Sequence, residues 1–238
     1  MDKQAAARLY LFPSPLSEGT AGDVIPARNT ELIKTIRHFV VEELRTARRF
    51  LKSCDRTIVI DDLSFEVLNE HTPAEAVGSM LEPLRRGFDV GVISEAGCPA
   101  VADPGADLVA AAQREGFEVV PLVGPSSIIM SLMASGFNGQ SFAFEGYLPV
   151  DAGRRASRLK EMERQIRVRR QTQIFIETPY RNNRLIAELA RTLPGSMLLC
   201  VASDITGARQ QIITRPLSQW RKADYDYDKR PTIFLLYS

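Results

Sequence analysis

Residues 90–130 read VGVISEAGCPAVADPGADLVAAAQREGFEVVPLVGPSSIIM, and their alternation of apolar runs with Gly- and Pro-rich turns decides the fold class. The runs 90–93 and 119–123 are β-branched and strand-like, and each breaks into a turn that leads into a helical pattern. Two such steps in succession make a βαβα unit. Its two turns are expected side by side at the carboxyl edge of a parallel sheet, where open α/β folds bind ligands. Pro and Gly set the turn backbones, and small side chains leave room for a bound molecule.

Upstream, 8–12 is a short apolar strand ending at the rigid turn Pro13-Ser14-Pro15. Asn29 or Thr30 is placed to cap a helix through about Arg37, and 38–41 has the β-branched content of a second strand, closing on Glu42-Glu43. A basic helix over 45–52, a strand over 57–60 and an amphipathic helix over 73–86 follow, the last stopped by Gly87. These elements and the βαβα unit make a first domain, 1–138. Downstream, strand patterns at 141–150, 173–176, 197–202, 210–214 and 232–237 alternate with helical ones at 153–168, 180–192 and 217–222. Consecutive strands late in the chain predict a mixed sheet in a second domain, 139–238. The expected fold is two α/β domains, the first sheet mainly parallel.

With 238 residues, 45% of them hydrophobic, there is enough apolar material for two cores. Thirty Lys and Arg balance 29 Asp and Glu, so no global field drives the chain onto nucleic acid or an acidic membrane. The start lacks an apolar core of signal-peptide length, and no run approaches a membrane span. Cys54, Cys98 and Cys200 are scattered, which suits a reducing, cytoplasmic location better than a disulfide framework or a zinc site. With His38 and His71 as the only histidines, no metal site is expected.

Two turns carry the candidate chemistry. In Ser94-Glu95-Ala96-Gly97-Cys98-Pro99, the Ala-Gly pair lets a ligand approach main-chain polar groups. Asp103 reads most simply as the cap of the next helix. Gly124-Pro125-Ser126-Ser127 opens a helix whose free N–H groups suit an anion, although a Ser cap satisfies the same residues. Neither turn has the spacing of a dinucleotide fingerprint or a phosphate loop. Glu42, Glu43 and Glu177 stand at strand ends, where a carboxylate accepts a proton or simply pairs with an Arg. The run 154–170 concentrates Arg154, Arg155, Arg158 and five further cations against two acids, which is either a solvated helix face or a polyanion surface.

Taken together, LYLFPSP, VEELR at 41–45, SEAGCPAVADPG at 94–105, VVPLVGPSS at 119–127, FAFEGYLP at 142–149, FIETPYR at 175–181 and the terminal RPTIFLLYS resemble the tetrapyrrole methylase superfamily, the class III S-adenosylmethionine-dependent methyltransferases. Within it the likeness is greatest to the branch of small-subunit ribosomal RNA cytidine 2′-O-methyltransferases. The resemblance implies S-adenosylmethionine held in a cleft between the two domains, and a homodimer. It assigns cofactor contacts to Ser94, Ala96, Gly97, Cys98, Val101, Ser126, Ser127, Ile176, Glu177, Ala202, Pro231 and Thr232. For a ribose acceptor it leaves Glu42, Glu43, Glu145 and Glu177 as candidate bases, with Arg154, Arg155 and Arg158 as RNA contacts and ribosomal RNA or the small ribosomal subunit as partner. The pattern departs from that branch at Leu16-Ser17-Glu18-Gly19, where a Gly-Asn pair is usual, and at Val41-Glu42-Glu43-Leu44-Arg45, where Ala-Glu-Asp-Thr-Arg is usual. The branch's C-terminal helical extension is also expected to be missing after Ser238. A tetrapyrrole or other small-molecule acceptor, and a non-catalytic cofactor-binding paralogue, stand as alternatives.

Overall fold

The computed structural model describes residues 7–238, so the reading of the chain's start falls partly on residues outside those described. Among the described residues, β1 (Arg8–Phe12), β2 (His38–Val41), β3 (Ser64–Val67), β4 (Val90–Ile93) and β5 (Glu118–Pro121) form one sheet in the order β3-β2-β4-β1-β5. Every pairing in it is parallel. Such a sheet has to be covered on both sides, and the alternation of its residues divides them accordingly. Leu9, Val40, Val90 and Val92 pack with Val77, Leu81, Leu84 and Leu108. Tyr10, Phe12, Phe39, Val41 and Ile93 face the other way, onto Ile25, Ile33, Phe50 and Leu51. Gly91 makes the second layer possible, because a Cβ there would sit 2.7 Å from the Phe39 ring.

The covering helices are α1 (Ala21–Val24), α2 (Ala27–Ile33), α3 (Leu44–Cys54), α4 (Ala74–Val77), α5 (Glu82–Arg85) and α6 (Gly105–Arg114). Three sequence expectations change here. The segment expected as a strand at 57–60 is a turn, since Asp55 accepts hydrogen bonds from the Thr57 N–H (2.8 Å) and hydroxyl (2.6 Å) and winds the chain away from the sheet; β3 follows it. The helix expected at 73–86 is broken by a 3₁₀ turn at Gly78–Leu81, with Pro83 in the first turn of α5. Asn29 is not a cap. It lies buried inside α2, and its side-chain amide donates to the Val123 carbonyl at 2.8 Å.

The chain divides into two compact units, the first ending at Ser126 and the second running Ser127–Ser238. In the second, β6 (Phe142–Tyr147), β7 (Thr172–Ile176), β8 (Leu198–Ser203), β9 (Gln211–Pro216) and β10 (Thr232–Tyr237) form a mixed sheet in the order β6-β7-β10-β8-β9, with only β6 and β7 parallel. One face packs Phe175, Leu199, Val201 and Phe234 against α8 (Ala152–Arg169), α9 (Asn182–Thr192) and α10 (Leu217–Trp220). The opposite face is covered by α7 (Ser127–Ser135), which packs on β9 and β10 and accepts a 2.9 Å hydrogen bond from Thr214 at the Ser135 carbonyl. That packing moves the division ahead of the expected 138: α7 follows the first sheet in sequence but covers the second. Among the described residues no helix is long and apolar enough to cross a membrane.

Candidate functional site

Parallel register brings the exits of three strands to one level. Phe12 and Val41 both pair with Ile93, so Pro13, Glu42 and Ser94 leave the sheet together at its carboxyl edge. Ser14 and Gly97 then form an isolated antiparallel bridge, and the buried Ser14 hydroxyl donates to the Ser94 carbonyl at 2.9 Å. Gly97 takes φ +78°, a conformation that side-chain-bearing residues adopt only under strain. The β5 exit runs against the same turn: a Cβ on Gly124 would lie 2.2 Å from Pro13 Cβ, so only glycine admits that approach. Cys98 Sγ lies 3.5 Å from the Pro125 carbonyl as donor. The two turns expected side by side touch directly, although β1 lies between β4 and β5 and its Pro13-Ser14-Pro15 exit packs against both. The rigid Pro-x-Pro after a strand was the sequence signal for Ser14.

Beyond Gly97 the loop holds Ala100 and Ala102 at φ +65° and +60°. Each such residue costs about 1 kcal/mol or more, so something must hold it. Asp103 does so: its Oδ1 accepts from the Ala100 and Gly105 N–H groups, both at 2.8 Å. Pro104 holds the cap position of α6, so the carboxylate braces a strained loop as well as the helix start, and Asp103 is not the cap expected. Burial raises its pKa, against those two hydrogen bonds.

Beside this turn, within the first unit, lies a cleft of about 430 Å³ whose walls include Ser14, Thr46, Arg49, Phe50, Glu95 and Ala96. Glu95 has its pKa raised, first by burial and then by the neighbouring charges of Glu42 and Glu43. Glu42 accepts from the Glu95 N–H at 3.2 Å. Glu43 is committed elsewhere: its carboxylate caps α3, accepting from the Arg45 and Thr46 N–H groups at 2.9 and 2.6 Å, which hold its pKa low. Glu95 went unnoticed in the sequence because it sits inside a turn otherwise made of small residues.

In the second unit, Ile176 pairs with Ile233 and Tyr147, Ala202 pairs with Ile233, and Thr232 with Ser203. Ile176, Ala202 and Thr232 thus share one edge of the sheet, with Glu177 and Pro231 immediately beyond. Glu177 is buried, accepts from Thr178 N–H at 2.7 Å and pairs with Arg181 at 2.8 Å. Glu145 pairs with Arg158. Arg155, expected on an open basic face, is buried: it binds Glu188 at 2.8 Å and donates to the Pro149 and Val150 carbonyls. Of the three candidate RNA contacts only Arg154 remains exposed without an ion pair among the described residues.

The donor set suits S-adenosylmethionine. No Lys or Arg occurs between Ile93 and Arg114, so a cationic sulfonium would meet hydroxyls, main-chain carbonyls and the carboxylates of Glu42 and Glu95 rather than like charge. Val101 and Val123, 51% and 75% exposed, leave apolar surface at the first unit's carboxyl edge for an adenosyl group. Ser127 opens α7, with Ser126 immediately before it.

The family model for tetrapyrrole (corrin/porphyrin) methylases matches residues 21–220. A "Ribosomal RNA small subunit methyltransferase I" of Vibrio cholerae is 29% identical over 96% of this chain and 76% of its own length. The protein of that name from Streptococcus pyogenes is 32% identical over 92% of this chain and 67% of its own. Among solved structures, the methyltransferase CobJ superposes with a TM-score of 0.63 at 18% identity, covering 98% of this chain and 93% of that one. Uroporphyrin-III C-methyltransferase from Thermus thermophilus, in complex with S-adenosylhomocysteine, gives 0.61 at 16% identity over 98% of both chains. Parallel first sheet, mixed second sheet and matched motifs agree: the chain belongs to the tetrapyrrole (corrin/porphyrin) methylase family and is an S-adenosylmethionine-dependent methyltransferase.

Proposed function

We propose that this methyltransferase modifies ribosomal RNA of the small subunit, at a ribose 2′-hydroxyl. The observation that carries the reading is the cleft beside the 94–98 turn, which has the Glu95 carboxylate in its wall next to the proposed cofactor turn. The names of relatives that match over nearly the whole chain support it. Ser94, Ala96, Gly97, Cys98, Val101 and Ser126 in the first unit, and Ser127, Ile176, Glu177, Ala202, Pro231 and Thr232 in the second, are the proposed cofactor contacts. A homodimer and a cytoplasmic location go with this reading.

Bound S-adenosylmethionine supplies a methyl group already activated by its sulfonium. The protein's task is then to hold an acceptor oxygen in line and to take its proton as the new C–O bond forms. Glu95 is the proposed proton acceptor: its raised pKa makes it a stronger base than an ordinary carboxylate, and Glu42 fixes its backbone. Glu43, Glu145 and Glu177 are held by a helix start or by arginines and serve position rather than proton transfer.

A second reading, a tetrapyrrole or other small-molecule acceptor, draws on the family's description and on the capacity of the cleft. Offering labelled methyl donor in parallel to small ribosomal subunits, free small-subunit RNA and tetrapyrrole acceptors separates the two. Label in RNA is the expected result; label confined to the tetrapyrrole would overturn the first reading, and label nowhere would favour a cofactor-binding paralogue.

A further inference from the structure

Three of the eight cations in the 154–170 run, two of them expected RNA contacts, are paired within their own unit among the described residues. Arg155 is bound by Glu188, Arg158 by Glu145 and Arg164 by Glu161. A different helix carries uncompensated charge. α3 contains Arg45, Arg48, Arg49 and Lys52 and no acidic residue. Their spacing is i, i+3, i+4, i+7, which puts all four on one face. All four are exposed, while Ala47, Phe50 and Leu51 on the opposite face are buried. Arg56, just past the helix, is exposed as well.

The acids nearest in sequence do not neutralise this face. Glu43 is spent on the main-chain N–H groups at the start of α3, and Asp55 is held by Thr57 and by Lys34 at 3.0 Å. Among the described residues only Glu18 reaches it, 3.4 Å from Arg49, in a pair whose partners are both largely exposed and weakly coupled in water. The same helix also walls the cleft, through Thr46, Arg49 and Phe50, together with Glu95 and Ala96. Uncompensated cations leading to the mouth of a proposed acceptor cleft are the electrostatic complement of a polyphosphate chain.

We propose that the exposed face of α3 (Arg45, Arg48, Arg49 and Lys52) tracks the phosphate backbone of the RNA acceptor and delivers one nucleotide to the cleft. This rests on the RNA reading above and replaces 154–158 as its docking surface. From Arg45 to Lys52 the helix rises about 10 Å, and the four cations along it span a few successive phosphates of one strand.

The test is binding of fluorescently labelled small-subunit ribosomal RNA to the full chain across a series of salt concentrations. Arg48→Gln, Arg49→Gln and Lys52→Gln combined should weaken binding about tenfold or more and flatten the salt slope by about 2, since each single-strand phosphate contact contributes ~0.7. Arg154→Gln, Arg167→Gln and Arg169→Gln combined should change affinity less than about twofold. Arg48→Lys with Arg49→Lys keeps the charge and should keep the slope; S-adenosylhomocysteine thermal shifts report that each variant is folded. Wild-type binding with an unchanged slope in the α3 variant would overturn the inference while leaving the RNA reading standing. A wild-type chain that does not bind RNA overturns both.

Discussion

Ser14 and Gly97 exchange a reciprocal pair of main-chain hydrogen bonds at 2.9 and 3.0 Å, stitching the exit of β1 to the exit of β4. The stitch requires the left-handed backbone of Gly97, and a Cβ there would come within 3.3 Å of Leu16. Gly97→Ala should therefore cost about 1–2 kcal/mol of stability from the backbone alone. Because the distorted turn belongs to the proposed cofactor site, affinity for S-adenosylhomocysteine should fall about tenfold as well. Calorimetry on the folded variant checks this, and unaltered affinity would remove Gly97 from the site.

Glu95→Gln should lower kcat by about 10²–10⁴ if this residue takes the acceptor proton, with little change in cofactor affinity. The acid limb of the wild-type rate profile should lie above the ordinary carboxylate range, because burial and the neighbouring carboxylates raise this group's pKa. A variant retaining full turnover with an unmoved acid limb would transfer the role to another base.

Glu43 bears on stability. Its folded-state pKa is lowered by the N–H groups it caps, so its contribution is complete above the unfolded pKa of a glutamate and is lost as pH falls through the lower folded value. Glu43→Gln should lower Tm at neutral pH, and the gap should close in acid. A gap independent of pH would mean that hydrogen bonding rather than charge does the capping.

Arg155→Ala should cost about 2–3 kcal/mol, below the 3–5 of a fully buried pair, because it leaves Glu188 half-buried beside two unanswered carbonyls. Denaturant titration measures this. RNA affinity per folded molecule should not change; a selective loss would restore Arg155 to the docking surface.

Much of this was legible in the sequence because its signals are local. The bounds of β2, β4 and β10 follow directly from apolar, β-branched runs, and the Gly and Pro of 94–99 mark a turn. What was illegible depends on long-range partners. Nothing near Arg155 in sequence announces Glu188, and nothing near Ser14 announces Gly97. The strand expected at 57–60 failed for a local reason: two hydrogen bonds that Thr57 donates to the Asp55 carboxylate outweigh a modest strand propensity. The position of β1 between β4 and β5 follows from crossover topology, which periodicity cannot encode.

The placement of α7 bears on how the polypeptide could be divided. Ile174, Cys200, Ala202, Ile233 and Leu235 are all buried, and by strand alternation they point away from α8 and α9, toward the face that α7 covers. A fragment begun at Gly139 would bare that greasy floor to water and invite self-association, whereas one begun at Ser127 would bring its own roof. Pieces of this enzyme intended to fold alone should be severed at the serine pair, not at the apparent gap after the helix.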